Sequence, residues 1–290
     1  MMDINVDLVK ELIAHQFPEF SDLEIKMVEK SGHDNRTFHL GDNMSVRLPS
    51  GPSYALQIEK ELTWLPIFKN HISLTIPSPI AKGEPSSKYP FNWAINSWIE
   101  GETVNYDNVC DLKELAVDLA RFLKELQSID ASLGPLAGEH NFYRGGSLEV
   151  YDCETRDALK KLKDVFDIDI IENIWNTALK SKYEDKPVWV HGDVAIGNLL
   201  VKNGKLSSVI DFGILGTGDP ACDYVMAWTF FDSESRQFFK DELNCDEETL
   251  NRAKGWALWK ALITYDINDK NSTSSQWAKY CIDELLKDIV

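Results

Sequence analysis

Three oxygen-bearing side chains stand close together in the second half of the chain. Asp193 and Asn198 lie five residues apart, directly after the apolar run Val188-Trp189-Val190, and Asp211 precedes Phe212-Gly213. Such a set is what phosphoryl transfer from a nucleotide needs. A carboxylate must stand beside the attacking hydroxyl, and hard oxygen ligands must hold the Mg²⁺ that bridges the phosphates. The spacing puts a base, Asp193, and a metal ligand, Asn198, on one loop. Between them and Asp211 the sequence reads as a hairpin, because Asn203-Gly204 suits a type I′ turn. The hairpin returns the second metal ligand, Asp211, to the same place. His191 reads as a residue that organises the loop from the core, not as a reacting group.

The ordered pair H-x-D-x-x-x-x-N and D-F-G is the kinase arrangement, which demands further parts earlier in the chain. Amphipathic spacing predicts an opening helix over 5–16, and three short strands follow near 25–29, 37–40 and 44–48. The Gly32-His33-Asp34-Asn35 segment between the first two strands is the expected loop over the phosphates, with an ordinary hairpin turn as the alternative. Arg47 on the third strand is the expected phosphate-holding cation. A helical pattern over 54–68 offers Glu61 as its partner. Glu59, about 160° around that helix, is the alternative. Strands near 79–83 and 93–99 complete a small β lobe. The rest reads as helices over 112–129, 154–182 and from about 221 onward, interrupted by the strand and hairpin around Asp193. The expected class is α+β, a protein-kinase-like bilobal fold. It has a nucleotide-binding lobe at 1–96, a hinge at 97–101 and a catalytic and acceptor-binding lobe at 102–290.

Composition bounds the remaining choices. The chain has 290 residues, 30 basic against 47 acidic, and a net charge of −17. A protein this acidic repels phosphate backbones and anionic lipid, so neither nucleic acid nor membrane is an expected partner. Five widely spaced cysteines without a C-x-x-C argue against a disulfide framework or zinc site and suit a cytoplasmic location. No secretory signal or spanning helix is expected. Residues 1–96 carry 9 basic and 12 acidic side chains, so most of the acidity lies in the second lobe.

Taken with these parts, the sequence resembles the aminoglycoside phosphotransferase family of the protein-kinase-like superfamily. His191-Gly192-Asp193 through Asn198, Asp211-Phe212-Gly213 and Gly218-Asp219-Pro220-Ala221-Cys222-Asp223 carry the resemblance. So do Arg47-Leu48-Pro49, Glu61 with Trp64-Leu65-Pro66, Ile76-Pro77-Ser78-Pro79 and Trp98-Ile99-Glu100-Gly101-Glu102, in the family's order. The resemblance implies that Asp193 is the catalytic base and that Asn198 and Asp211 bind Mg²⁺. It implies that Ser97 to Ile99 form the hinge, with Ser97 and Ile99 meeting the base of ATP or GTP, and that Asp219 and Asp223 are scaffold. Many members carry Lys where Arg47 stands, which leaves open weaker nucleotide affinity or a nucleotide-binding pseudokinase.

The implied acceptor is a hydroxyl of an aminoglycoside-like antibiotic. A macrolide, an amino alcohol or another cellular metabolite shares every motif. The acidic run within 231–250 would attract a cationic acceptor, although a solvated helix face explains each of its residues as well. Trp256, Trp259 and Trp277 are expected in the core, with an acceptor pocket as the alternative. Gly213 to Gly218 is glycine-rich but lacks the G-x-G-x-x-G spacing and βαβ setting of a dinucleotide site.

Overall fold

The computed structural model describes residues 3–28, 32 and 34–288. Asn5 caps the first helix, α1 (Val6–Gln16), by accepting the Leu8 N–H, and Val9, Leu12 and Ile13 turn inward. Five antiparallel strands follow in the spatial order β1-β2-β3-β5-β4: β1 (Ile25–Met27), β2 (Asn35–Leu40), β3 (Met44–Pro49), β4 (Pro79–Gly83) and β5 (Trp93–Ser97). Gly41 takes a left-handed φ of 59° in the turn between β2 and β3. Alternation along these strands sends Phe38, Leu40, Val46, Leu48 and Ile95 to one face, where they bury with α1 and Trp93.

Helix α2 (Ala55–Phe68) joins β3 to β4 and belongs to two places at once. Glu61 faces the sheet through Arg47, while Leu65 and Phe68 bury in the larger core with the helices that follow. After β5 the chain makes the short strand β6 (Glu102–Thr103) against the segment around Leu200 and Val201. There Gly101 lies so close to the neighbouring strand that a Cβ would come within 2.9 Å of Leu200 Cβ.

The larger core is built on α3 (Leu112–Ser128), capped by Asp111, whose Leu115, Leu119, Phe122, Leu123 and Leu126 form one buried stripe. Helical pattern over 154–182 resolves into two helices, α4 (Asp152–Leu162) and α5 (Ile168–Lys180), broken where the Val165 and Phe166 N–H groups turn back onto Leu162 O. Strand β7 (Val188–Val190) pairs with β10 (Gly216–Gly218), a pairing the sequence reading lacked because a Gly-Thr-Gly strand shows no alternation. The hairpin β8 (Leu199–Lys202) and β9 (Lys205–Val209) turns on Asn203 and Gly204, with φ of 55° and 79°. Helices α6 (Met226–Thr229), α7 (Ser233–Leu243), α8 (Glu247–Thr264) and α9 (Thr273–Lys287) close the chain. No helix among the described residues is long and apolar enough to cross a membrane.

Candidate active site

The loop after β7 is fixed by its carboxylates before any ligand is considered. Asp223, fully buried, accepts the N–H groups of His191 (2.7 Å) and Gly192 (2.8 Å). His191 is also buried. Its Nδ1 accepts the Asp193 N–H at 3.2 Å and its Nε2 meets Ile210 O at 3.1 Å, so the ring staples the loop after β7 to the segment leading to Asp211. Phe212 packs edge-on against His191 with centroids 4.6 Å apart. Asp219 pairs with Arg252 at 2.7 Å and caps the turn at Ala221. Both aspartates therefore hold backbone and do not face the cleft. Burial raises the carboxyl of each above its usual range, against the pull of the neighbouring donors.

That scaffold presents three side chains. Asn198 Nδ2 donates to Asp193 O (2.9 Å) and Oδ2 (3.0 Å), which fixes the spacing the sequence suggested. Asp211 adopts a left-handed φ of 65°, a conformation that aspartate tolerates better than most residues. From β3, Arg47 spans two carboxylates, Nη1 to Glu61 at 3.0 Å and Nη2 to Asp211 at 2.7 Å. Burial opposes the charge on Asp211, but the guanidinium wins and holds its carboxyl below the usual range. Burial dominates at Glu61, which is 1% exposed and raised despite Arg47. Burial also works against the Arg47 charge, yet the two carboxylates raise its pKa further. Glu59 takes other partners, Asn92 and Lys82.

The cleft beside these residues, about 700 Å³, is lined by Gly32, Asp34, Asn35, Arg47, Asn96, Ser97, Ile99, Asp193, Asn198 and Asp211, among others. Gln57 on α2 ties down the loop end by donating to Asp34 Oδ2 (2.9 Å) and accepting from Asn35 Nδ2 (3.2 Å). His33 lies outside the described residues. At the hinge the Ser97 and Trp98 N–H groups are spent on Ser78 O and Asn43 O. Glu61 is reached only through Arg47, so it is a partner of the cation and not a wall of the cleft.

The residues present suit Mg²⁺. Asp211 and Asn198 supply a carboxylate and an amide oxygen at the cleft, and no group of three or more His, Cys, Asp or Glu occurs among the described residues. A site with few protein oxygens, completed by phosphates and water, is the habit of Mg²⁺.

Four further residues escaped sequence reasoning. Asn96 is 2% exposed, borders the cleft, and neither its Nδ2 nor its Oδ1 has a partner among the described residues. Lys60, beside Glu61 on α2, buries its ammonium on Leu215 O (3.0 Å) and His140 O (3.2 Å), and burial pushes its pKa down to about 8. A second cavity, about 400 Å³, adjoins Asp193 and Asp211 and is walled by Arg144, Lys260, Glu154, Tyr151 and Trp259. Arg144 and Lys260 carry no local motif; only their proximity to Asp193 marks them. Trp256 and Trp277 line a smaller adjoining space of about 150 Å³. The tryptophans are thus core and wall together. None of the acidic residues of 231–250 borders these cavities. Asp232 and Asp246 cap helices, Glu234 pairs with Lys113, and Glu242 pairs with Arg121 and Lys124.

Comparisons with known proteins agree with this architecture. The model of the phosphotransferase enzyme family matches residues 28–259. A search of curated proteins returns no match. Among solved structures, the GDP complex of wild-type aminoglycoside 2'-phosphotransferase-IIIa superposes with a TM-score of 0.70 at 18% identity, covering 98% of each chain. The gentamicin complex of APH(2")-IIa gives 0.65 at 21% identity, covering 99% of this chain and 97% of that one. Macrolide 2'-phosphotransferase MphH from Brachybacterium faecium gives 0.60 at 17% identity, covering 96% and 97%. At these identities the likeness is one of fold.

Proposed function

The chain belongs to the phosphotransferase enzyme family, a nucleotide-dependent phosphotransferase acting on a hydroxyl, and from that premise we propose how its residues divide the work. A nucleoside triphosphate occupies the 700 Å³ cleft, its base at Ser97–Ile99 with the orphaned amide of Asn96 beside it. Gly32, Asp34 and Asn35 cover the phosphates, and Arg47, oriented by Glu61, meets them from β3. Asn198 and Asp211 would hold Mg²⁺, which supplies charge neutralisation at the phosphates when bound.

Asp193 stands where both cavities meet. The acceptor oxygen attacks the γ-phosphorus, the bond to the bridging oxygen of the β-phosphate breaks, and the hydroxyl proton passes to Asp193. The Asn198 amide, donating to Oδ2, keeps the carboxylate turned toward that proton. Little covalent chemistry falls to the protein; positioning and charge carry the acceleration. The observation that carries this reading is the convergence of Asp193, Asn198, Asp211 and Arg47 on one cleft.

For the acceptor, the gentamicin-bound and macrolide relatives support an antibiotic hydroxyl. A second reading, another small hydroxyl compound, is favoured by Arg144 and Lys260, which a polyamine would have to approach. A nucleotide-turnover assay with ATP and GTP over aminoglycosides, macrolides, amino alcohols and sugars tests the proposal. Acceptor-stimulated diphosphate release that vanishes in Asp193→Ala supports it. Nucleotide binding with no turnover on any acceptor would mark a pseudokinase.

A further inference from the structure

The 400 Å³ cavity beside Asp193 is lined by two cations, Arg144 and Lys260, and by the carboxylates of Asp34, Glu154, Asp193 and Asp211. Arg144 and Lys260 make no hydrogen bond or ion pair from their side chains to any described residue, and Arg144 Nε is sealed from water without a partner. Arg144 instead lies against two mutually perpendicular rings, with its guanidinium 4.7 Å from the Trp259 ring centroid and 5.1 Å from that of Trp256. Lys260 lies 5.8 Å from the Trp259 centroid. Stacking of this kind leaves the N–H edge of a guanidinium free for an in-plane ligand. Both cations border the acceptor cavity, and neither borders the donor cleft.

The backbone spends strain to set this up. Phe142 and Tyr143, consecutive and not glycine, both take left-handed φ values, 52° and 55°. Such conformations persist where the surroundings impose them. Here Asn141 Nδ2 grips Arg144 O at 2.9 Å and the Tyr151 hydroxyl donates to Phe142 O at 2.6 Å. The groups facing the cations are Asp193, Asp211, Asp34 and Glu154. Of these, Glu154 is engaged by the Trp259 indole N–H at 2.8 Å and Asp211 by Arg47. Burial, together with the charge of Arg144, lowers the pKa of Lys260 against the pull of Asp193 and Glu154, although the side chain is exposed. An anion between the two would relieve that repulsion.

Resting on the phosphotransfer reading, we propose that the acceptor is a hydroxylated carboxylic acid, such as a sugar acid, whose carboxylate is held by Arg144 and Lys260. The carboxylate anchors on the cations, the carbon frame lies on Trp259 and Tyr151, and the hydroxyl is carried to Asp193. The step balances as before: the new bond joins the hydroxyl oxygen to the γ-phosphorus, and Asp193 takes the proton. The product is a phosphomonoester acid with a nucleoside diphosphate.

The test compares gluconate with glucose and glycerate with glycerol, alongside kanamycin and erythromycin, by diphosphate release. Arg144→Met keeps an apolar chain over the rings, and Lys260→Ala alters a solvent-reaching side chain, so both variants should fold. The acids are expected to exceed their neutral counterparts by about tenfold or more in kcat/KM, the worth of a charge-assisted hydrogen bond. Each variant should erase that advantage while the affinity for a non-hydrolysable ATP analogue stays within about twofold. Turnover of neutral or cationic acceptors equal to that of the acids would overturn the proposal. So would variants that weaken the ATP analogue as much as the acid, since the cations would then serve the donor. If the unaltered protein binds ATP but phosphorylates none of the six compounds nor any other acceptor, the phosphotransfer reading itself falls, and this proposal with it.

Discussion

The two sides of Asp193 are built on opposite principles. On the donor side the charges that matter are paired within the protein. Arg47 is divided between Glu61 and Asp211, and Asn198 is bonded to Asp193. On the proposed acceptor side Arg144 and Lys260 have no side-chain hydrogen bond or ion pair among the described residues and lie against aromatic rings. Paired charges are held in one geometry and lose little when a ligand arrives, which suits machinery used in every turnover. Unpaired charges wait for a ligand of the right sign, which suits recognition. The difference teaches where to look for each: catalysis in the satisfied network, specificity in the unsatisfied one.

The sharpest way to break this comparison is at the residue both sides share. Asp193→Ala should lower kcat by about 10²–10⁴, the range for a lost general base. Nucleotide affinity should barely change, and a rate near that of the native protein would remove Asp193 from the mechanism.

The paired side can be opened next. Glu61 is buried against Arg47, so Glu61→Ala leaves a guanidinium without its inner partner. Breaking such a pair costs about 3–5 kcal/mol. A urea titration should show that loss, together with a raised KM for the nucleotide. A stability unchanged in urea would mean that Arg47 leans on Asp211 alone.

A third effect lies behind the pair, at Lys60. Its pKa is about 8 in the folded chain against 10.5 unfolded. Between those values the unfolded chain keeps a proton that the folded chain sheds. Stability therefore rises as pH climbs from about 8 to 10.5, and the gain is absent below 8. The full swing is on the order of 3 kcal/mol at about 1.4 kcal/mol per pH unit. Lys60→Met should flatten that part of the stability profile; an unchanged slope would assign it to other groups.

The smallest expected effect tests the fork of Arg47. Lys keeps the charge but cannot span two carboxylates in one plane. Arg47→Lys should cost about tenfold in kcat/KM, the size of one lost charge-assisted bond. A gain in activity instead would mean that Arg47 holds Asp211 away from the metal.

Much of the donor side was legible in the chain. Asp193, Asn198 and Asp211 sit in a short stretch whose local spacing sets their geometry, because a loop and an Asn-Gly hairpin leave few alternatives. Glu61 was the expected partner of Arg47 with Glu59, on the other side of the helix, as the alternative, and the ion pair observed is with Glu61. The large helices were readable from their apolar stripes, while the break in 154–182 was not, since each half keeps the same periodicity. Strand β10 was illegible for a related reason: its Gly-Thr-Gly has no side-chain pattern, and only pairing with β7 makes it a strand.

By itself the sequence determined the fold class, the family and several of the side chains that converge on the 700 Å³ cleft, because these rest on local spacing and on motifs that act within one loop. The tertiary structure alone decided which side chains line the second cavity beside Asp193. Arg144 comes from the loop before α4 and Lys260 from α8, and they share a cavity only because their elements pack around the catalytic loop. The net charge of −17 suggested a cationic acceptor, yet several acidic residues of 231–250 are spent on caps and surface pairs, and the cavity beside Asp193 sets Arg144 and Lys260 among the carboxylates of Asp34, Glu154, Asp193 and Asp211. Net charge adds over the whole chain, whereas a ligand feels only the charges within about a Debye length of 8–10 Å.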